Sequence, residues 1–111
     1  MTARAIWVAA AVSLAFAQGA IAAGKAEAGK AKAAQVCAAC HGADGAKPSA
    51  PDQPILAGQY YDYLVKALAD YKSGKRNNPI MKGFAASLSV QDMEDLAAWF
   101  SSQKSSLHFQ R

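Results

Sequence analysis

The stretch Cys37-Ala38-Ala39-Cys40-His41 contains both cysteines and one of the two histidines of this 111-residue chain. Two cysteines three positions apart on one helical turn can each reach a different vinyl group along one porphyrin edge and form a thioether. The histidine that follows can then turn its imidazole under the ring to ligate iron. In an exported chain this C-x-x-C-H pattern predicts c-type haem attachment, with Cys37 and Cys40 as the attachment sites and His41 as an axial ligand.

Three interpretations compete with haem attachment, and each is less favoured. A structural disulfide or thioredoxin-like redox pair is expected near a βαβ pattern, yet no segment alternates apolar and polar residues as a half-buried strand would. A zinc site needs four ligands, and the chain supplies only Cys37, Cys40, His41 and the remote His108. Chance occurrence of the pattern is the third interpretation.

The first 23 residues have the character of a secretory signal peptide. An apolar stretch over residues 5–17 is followed by small side chains that fit a signal peptidase at Ala22 or Ala23. A retained membrane anchor is the alternative, because residues 5–23 approach the roughly 20 residues that a membrane-spanning helix needs. The small-residue composition and the polar break at Gln18 favour cleavage, which predicts export to the periplasm.

Length and charge limit the possible functions of the chain after residue 23. Without the first 23 residues it is so short that a core of side chains alone is often marginal, and a cofactor commonly completes such a core. The full chain has a formal net charge of +4. Its lysines are scattered, whereas nucleic-acid binders cluster their basic residues on one face. We therefore expect no nucleic-acid partner and a weak attraction for acidic partners.

Local patterns predict an almost entirely helical body. Proline-rich and glycine-rich composition separates three helical segments. Ser89 and Asp92 form a capping-box pattern before the last of these, and Gly74 is expected to end the second. The expected order is a helix over 25–40, a loop over 42–58, a helix over 59–73, a loop over 75–88 and a helix from 89 to about 103. Two loops would then face each other across a small core, with room for a planar cofactor between them.

Several parts of the chain match the pattern of a known family. They are Gly29, Cys37 to Gly42, Pro54 to Gln59, Tyr63 to Gly74 with Arg76, Met81, Leu88 to Asp92, and Leu96 to Trp99. With them the sequence resembles the class I monohaem c-type cytochromes, especially small bacterial forms that also occur as the two halves of dihaem cytochromes. The resemblance covers about residues 29–103. It implies an all-α cytochrome c fold, with three to five helices around one covalently bound haem c, over residues 24–103, before a C-terminal tail at 104–111.

The resemblance also implies contacts that support the ligands. The Pro54 carbonyl would accept a hydrogen bond from the unligated nitrogen of His41, which fixes the ring and raises its basicity. The first and last helices would cross near Gly29 and Trp99. Arg76 and Tyr63, which lie on the matching stretch, have two open roles beside an ordinary surface one: contact with a haem propionate, or support of the segment around Met81.

The sixth iron ligand is predicted to be Met81. It follows Pro79 in a segment expected to be an irregular loop, which can present a thioether inward. Met93 lies on the apolar stripe of the last helix, where methionine more often fills the core. His108 and a water molecule are also candidates for this position. A thioether opposite an imidazole favours ferrous iron and raises the reduction potential.

These predictions favour electron transfer over catalysis, because both axial positions would be filled. The expected protein is a periplasmic one-electron carrier whose partners are membrane cytochrome complexes, dehydrogenases, and terminal oxidases or reductases. Transient contact with a membrane surface remains open, as does the choice between a monomer and a complex subunit. The competing functions are a haem subunit fixed to a dehydrogenase and a ligand-binding haem protein with an open iron position.

Overall fold

The computed structural model describes residues 2, 5–13 and 23–105. Within them the chain forms five helices and no strand: α1 (Ala26–Val36), α2 (Ala38–His41), α3 (Tyr61–Ser73), α4 (Pro79–Ala85) and α5 (Val90–Ser101). The prediction of an all-α fold of three to five helices is confirmed. Ala22, at the expected cleavage site, and His108 lie outside the described residues, as do 14–21 and most of the predicted tail.

No helix in the described part of the chain is long and apolar enough to cross a membrane. Residues 5–13, which belong to the predicted signal peptide, are exposed and have no regular secondary structure. The folded body extends from about residue 24 to 105, and it contains every helix described above.

The body is built on a close crossing of α1 and α5. Gly29 is buried there, and a Cβ added to it would lie 1.9 Å from the Asp95 carbonyl oxygen and 2.9 Å from the Trp99 Cβ. The backbone N–H of Lys25, at the start of α1, donates to Asp95 Oδ1 over 2.7 Å. Only glycine permits so close an approach at position 29, and the expected crossing near Gly29 and Trp99 is present.

Two helix ends agree with the sequence signals. At the start of α5 the Asp92 N–H donates to Ser89 Oγ over 3.0 Å, and the Ser89 N–H donates to Asp92 Oδ2 over 2.9 Å. This is the predicted capping box. At the end of α3, Gly74 adopts a left-handed conformation with φ of 85°, which glycine reaches without a steric penalty.

Two predicted elements were wrong in part. The single helix expected over 25–40 is divided at Cys37, where the chain makes a turn between α1 and α2. There the Cys40 N–H donates to the Cys37 carbonyl three residues back, which tightens the turn. The loop expected over 75–88 contains α4, which begins because the Asn78 side chain caps it and Pro79 occupies its first turn.

The loop between α2 and α3 is held by backbone hydrogen bonds. Gly45 accepts from the N–H groups of Leu56 and Ala57, and the Gly58 N–H donates to the Phe100 carbonyl on α5 over 2.9 Å. These bonds draw the loop across one end of a small apolar core, whose buried side chains are Ala33, Leu64, Ala85, Leu88, Met93, Leu96, Ala97 and Phe100.

Candidate cofactor site

A cavity of about 230 Å³ lies between the α1–α2 turn, the loop before α3, and helices α3, α4 and α5. Most of its walls are apolar and include Val36, Ile55, Leu64, Leu68, Leu96 and Phe100. The cavity brings together all four residues that the sequence assigned to the site. Cys37, Cys40 and His41 line it from the α1–α2 turn, and Met81 lines it from α4.

His41 is held in one orientation by the loop. Its side chain is buried, and its Nδ1 lies 2.9 Å from the Pro54 carbonyl oxygen. Because a carbonyl oxygen only accepts hydrogen bonds, Nδ1 must carry the proton. In the neutral ring Nε2 is then left with a free lone pair, the state that a metal-ligating imidazole requires. The hydrogen bond from His41 to Pro54 has the donor and acceptor that the resemblance implied.

The two cysteines are free thiols in a half-buried setting. Burial raises the pKa of the Cys37 thiol to about 11. The thiol therefore stays protonated at neutral pH, whereas redox-active cysteines have a lowered pKa and react as thiolates. Among the described residues no cluster of three or more Cys, His, Asp or Glu side chains can hold a metal ion. These observations disfavour a redox pair and a zinc site in this part of the chain.

The two methionines of the folded body occupy different environments. Met81 is half-buried on α4 and lines the cavity. Met93 is only 4% exposed and packs in the apolar core on α5, and it is absent from the cavity wall. A thioether can therefore enter the cavity from Met81, whereas Met93 fills the core as expected for a methionine on an apolar stripe.

A cationic group borders the cavity between α3 and α4. Arg76 donates a hydrogen bond to the Tyr63 hydroxyl over 3.2 Å, and its guanidinium carbon lies 4.8 Å from the centre of the Tyr71 ring. All three side chains line the cavity. The Arg76–Tyr63 bond also connects α3 to the segment that leads into α4, so the structure is compatible with both roles left open by the sequence.

Asn78 is a site residue that the sequence analysis missed. Its side chain caps α4 next to Met81, and it lines the cavity. The signal in the sequence was the Asn78-Pro79 pair, because asparagine is a favoured N-cap and proline is favoured at the first helical position. Tyr71 was also missed as a cavity residue, and no local pattern distinguishes it from the neighbouring aromatic residues of α3.

A helical fold that places a C-x-x-C-H turn and a methionine on the walls of one largely apolar cavity is typical of c-type cytochromes. The chain belongs to the cytochrome c family, because the family model described as "Cytochrome c" matches residues 26–104. Membership implies a covalently bound haem c, and the donors present fit it: two free thiols, an imidazole with an available nitrogen, and a thioether.

Several relatives agree with this assignment. The chain is 52% identical over 94 residues to cytochrome c4 of Pseudomonas aeruginosa, covering 85% of this chain and 43% of that protein. It is 48% identical over 65 residues to the thiosulfate dehydrogenase electron acceptor of Stutzerimonas stutzeri, covering 59% and 30%. The structure of reduced recombinant cytochrome c4 from Pseudomonas stutzeri matches with a TM-score of 0.69 and 49% identity, covering 77% of this chain and 48% of that one.

These matches confirm the resemblance to class I c-type cytochromes and to one half of a dihaem form. The chain spans less than half the length of the two curated relatives named above. What those whole proteins do is therefore carried to this chain only as a proposal.

Proposed function

We propose that this chain is a periplasmic one-electron carrier with a single haem c, attached through Cys37 and Cys40 and ligated by His41 and Met81. When bound, the haem supplies an iron that alternates between the ferrous and ferric states. The observation that carries the proposal is that one cavity collects all four side chains, including Met81, which is 40 positions from His41 in the sequence.

The residues of the chain have distinct tasks in this proposal. The Pro54 carbonyl orients the His41 ring and increases its basicity as a ligand. Met81 provides a soft, neutral thioether that favours the ferrous state and raises the reduction potential. The apolar walls keep water from the site, which lowers the solvent reorganisation that accompanies a change of charge. With His41 and Met81 both held by the iron, no ligand position would remain for a substrate, which favours an electron carrier over an enzyme.

We propose redox proteins as partners. Membrane cytochrome complexes, dehydrogenases, and terminal oxidases or reductases are the classes that donate and accept single electrons. Basic residues still outnumber acidic ones after the leader with Arg4 is removed, which favours acidic partner surfaces. One relative is named as an electron acceptor of thiosulfate dehydrogenase, which supports a dehydrogenase as one such donor. The apolar leader over residues 1–23 supports export to the periplasm, and mass measurement of the exported protein tests for cleavage after Ala22 or Ala23.

A haem subunit bound permanently to a dehydrogenase is a second candidate function. The name of the same relative favours it, because an electron acceptor of one enzyme can also be its fixed subunit. Size-exclusion chromatography of the protein from its natural host separates the two candidates. A free monomer supports the carrier, whereas a stable stoichiometric complex that survives raised salt supports the subunit.

Optical spectra of the holoprotein test the ligands. The gene is expressed in a host that attaches haem c, and the ferric spectrum is recorded for the wild type, Met81→Ala and Met93→Ala. The sulfur-to-iron charge-transfer band should be present in the wild type and Met93→Ala, and absent from Met81→Ala. Loss of the band in the Met93 variant alone would overturn the choice of Met81. Rapid carbon monoxide binding by the ferrous wild type would instead indicate an open iron position.

Covalent attachment is tested separately. Denaturing electrophoresis with a haem stain should show haem on the wild-type chain. Double replacement of Cys37 and Cys40 by alanine should abolish the stain. A wild-type chain that folds in the same host without colour would refute the proposed function.

A further inference from the structure

The helix that carries Met81 has little to stabilise it. α4 has seven residues, and Ala85 is its one buried side chain. A helix of this length is not stable by itself in water, because nucleation costs more than so few hydrogen bonds return. Ile80 and Phe84 of α4 are exposed, so packing fixes only one side of the helix. The position of Met81 therefore depends on how well the first turn of α4 is held.

Asn78 holds that turn through a direct contact with Met81. Its Oδ1 accepts hydrogen bonds from the backbone N–H of Ile80 over 3.1 Å and of Met81 over 3.0 Å. These are two of the N–H groups that have no partner inside a helix. Pro79 lies between the cap and these donors, lacks an N–H, and has its φ fixed near the helical value.

We propose that Asn78 is a positioning residue for Met81: its side-chain oxygen fixes the main chain at residue 81 and so keeps the thioether directed to the cavity. The inference rests on the proposed function, in which Met81 is an iron ligand. Without the cap, two N–H groups lose their acceptor and the first turn of α4 frays at the residue that has to coordinate. Met81 then occupies its position at the cavity in a smaller fraction of the molecules.

Binding of added imidazole measures the fraction of molecules in which Met81 is displaced. Added imidazole can ligate the ferric iron only while Met81 is displaced, so its apparent dissociation constant equals the intrinsic constant divided by the displaced fraction. Loss of an N-cap typically corresponds to a factor of about five in an equilibrium constant. Asn78→Ala should therefore lower the apparent dissociation constant for imidazole about fivefold.

α5, which also has a side-chain cap, offers a matched control. Ser89 caps α5 by accepting from the Asp92 N–H, and it does not line the cavity. Ser89→Ala removes a cap of the same kind and should lower the thermal midpoint of the holoprotein about as much as Asn78→Ala. It should leave imidazole binding unchanged. Asn78→Ser keeps an oxygen able to cap the helix, and should return the imidazole constant to within about twofold of the wild type.

The outcomes separate the two proposals. If the wild-type ferric protein shows the sulfur-to-iron band and Asn78→Ala binds imidazole like the wild type, the positioning role is wrong while the proposed function stands. An equal change in Ser89→Ala also overturns the positioning role, since the effect then follows general stability. If the wild type lacks the band, Met81 is no ligand and both proposals fail.

Discussion

Adding one methyl group at Gly29 should separate α1 from α5, whereas the same change at Gly83 should do no harm. At Gly29 the new Cβ would lie 1.9 Å from the Asp95 carbonyl oxygen, a backbone atom that cannot rotate away. At Gly83, inside α4, the new Cβ would meet no atom within 4 Å among the described residues, apart from its chain neighbours and the backbone of α4 itself. The two variants therefore carry the same change in helix propensity and differ in steric conflict.

The two substitutions should change the free energy of unfolding in opposite directions. Alanine is preferred to glycine inside a helix by about 1 kcal/mol, so Gly83→Ala should raise the free energy of unfolding by up to that amount. Overpacking costs about 1–3 kcal/mol and occasionally more. Because the conflict at Gly29 is with backbone, we expect the upper part of that range and a net loss of about 2 kcal/mol. In a domain of this size that corresponds to a fall of about 10 °C in the thermal midpoint.

Thermal unfolding of the two holoproteins, followed by far-ultraviolet circular dichroism, measures the difference. Equal haem content in both samples, measured by absorbance, is the necessary control. A Gly29→Ala variant at least as stable as the wild type would refute the close crossing of α1 and α5 as the reason for glycine at this position.

Two further predictions concern α5. Hydrogen bonds from the Ser89 backbone are the largest cause that lowers the pKa of Asp92, so its carboxylate stabilises the fold at neutral pH and loses that effect as pH falls through its folded-state pKa. Asp92→Asn should thus reduce the free energy of unfolding measured in urea at pH 7. The gap in unfolding free energy between wild type and variant should shrink below about pH 4. A gap that does not change with pH would contradict this prediction. The Trp99 Nε1–H donates to the Ala43 carbonyl over 3.1 Å. Trp99→Phe removes this donor and should lower the free energy of unfolding by about 1 kcal/mol in the same assay. An unchanged urea midpoint would show that the bond does not stabilise the fold.

Local signals decided much of the fold. The Ser89 capping box and the Gly74 stop each depend on a few neighbouring residues, so their helix ends were predicted correctly. α4 was missed because Pro79 and Gly83 resemble loop residues and only one of its side chains is buried. The one signal for this helix was its cap, and a cap is a weaker signal than an apolar stripe. The turn at Cys37 was also missed, because no residue there breaks helices.

The site divides in the same way. Cys37, Cys40 and His41 are adjacent in sequence, so their spacing alone predicts their chemistry. Met81 is remote from them. The sequence chose it because Pro79 suggested an irregular loop that presents a thioether inward, whereas the structure places it on α4. The sequence also offered the general rule that a methionine on an apolar helical stripe fills a core. That rule correctly placed Met93 in the core. Whether Met81 reaches the same cavity as the cysteines depends on how α4 packs against α3, and no local pattern encodes that packing.

The contact between His41 and Pro54 has a consequence for variation among related sequences. The acceptor is a main-chain oxygen, so every amino acid at position 54 would still supply it, and no side-chain replacement there deletes the bond. Proline adds restraint through its fixed φ. Insertions or deletions between residues 42 and 54 would instead displace the oxygen and tilt the ring. The alignment of the imidazole is thus tolerant of point substitution at residue 54 and sensitive to loop length.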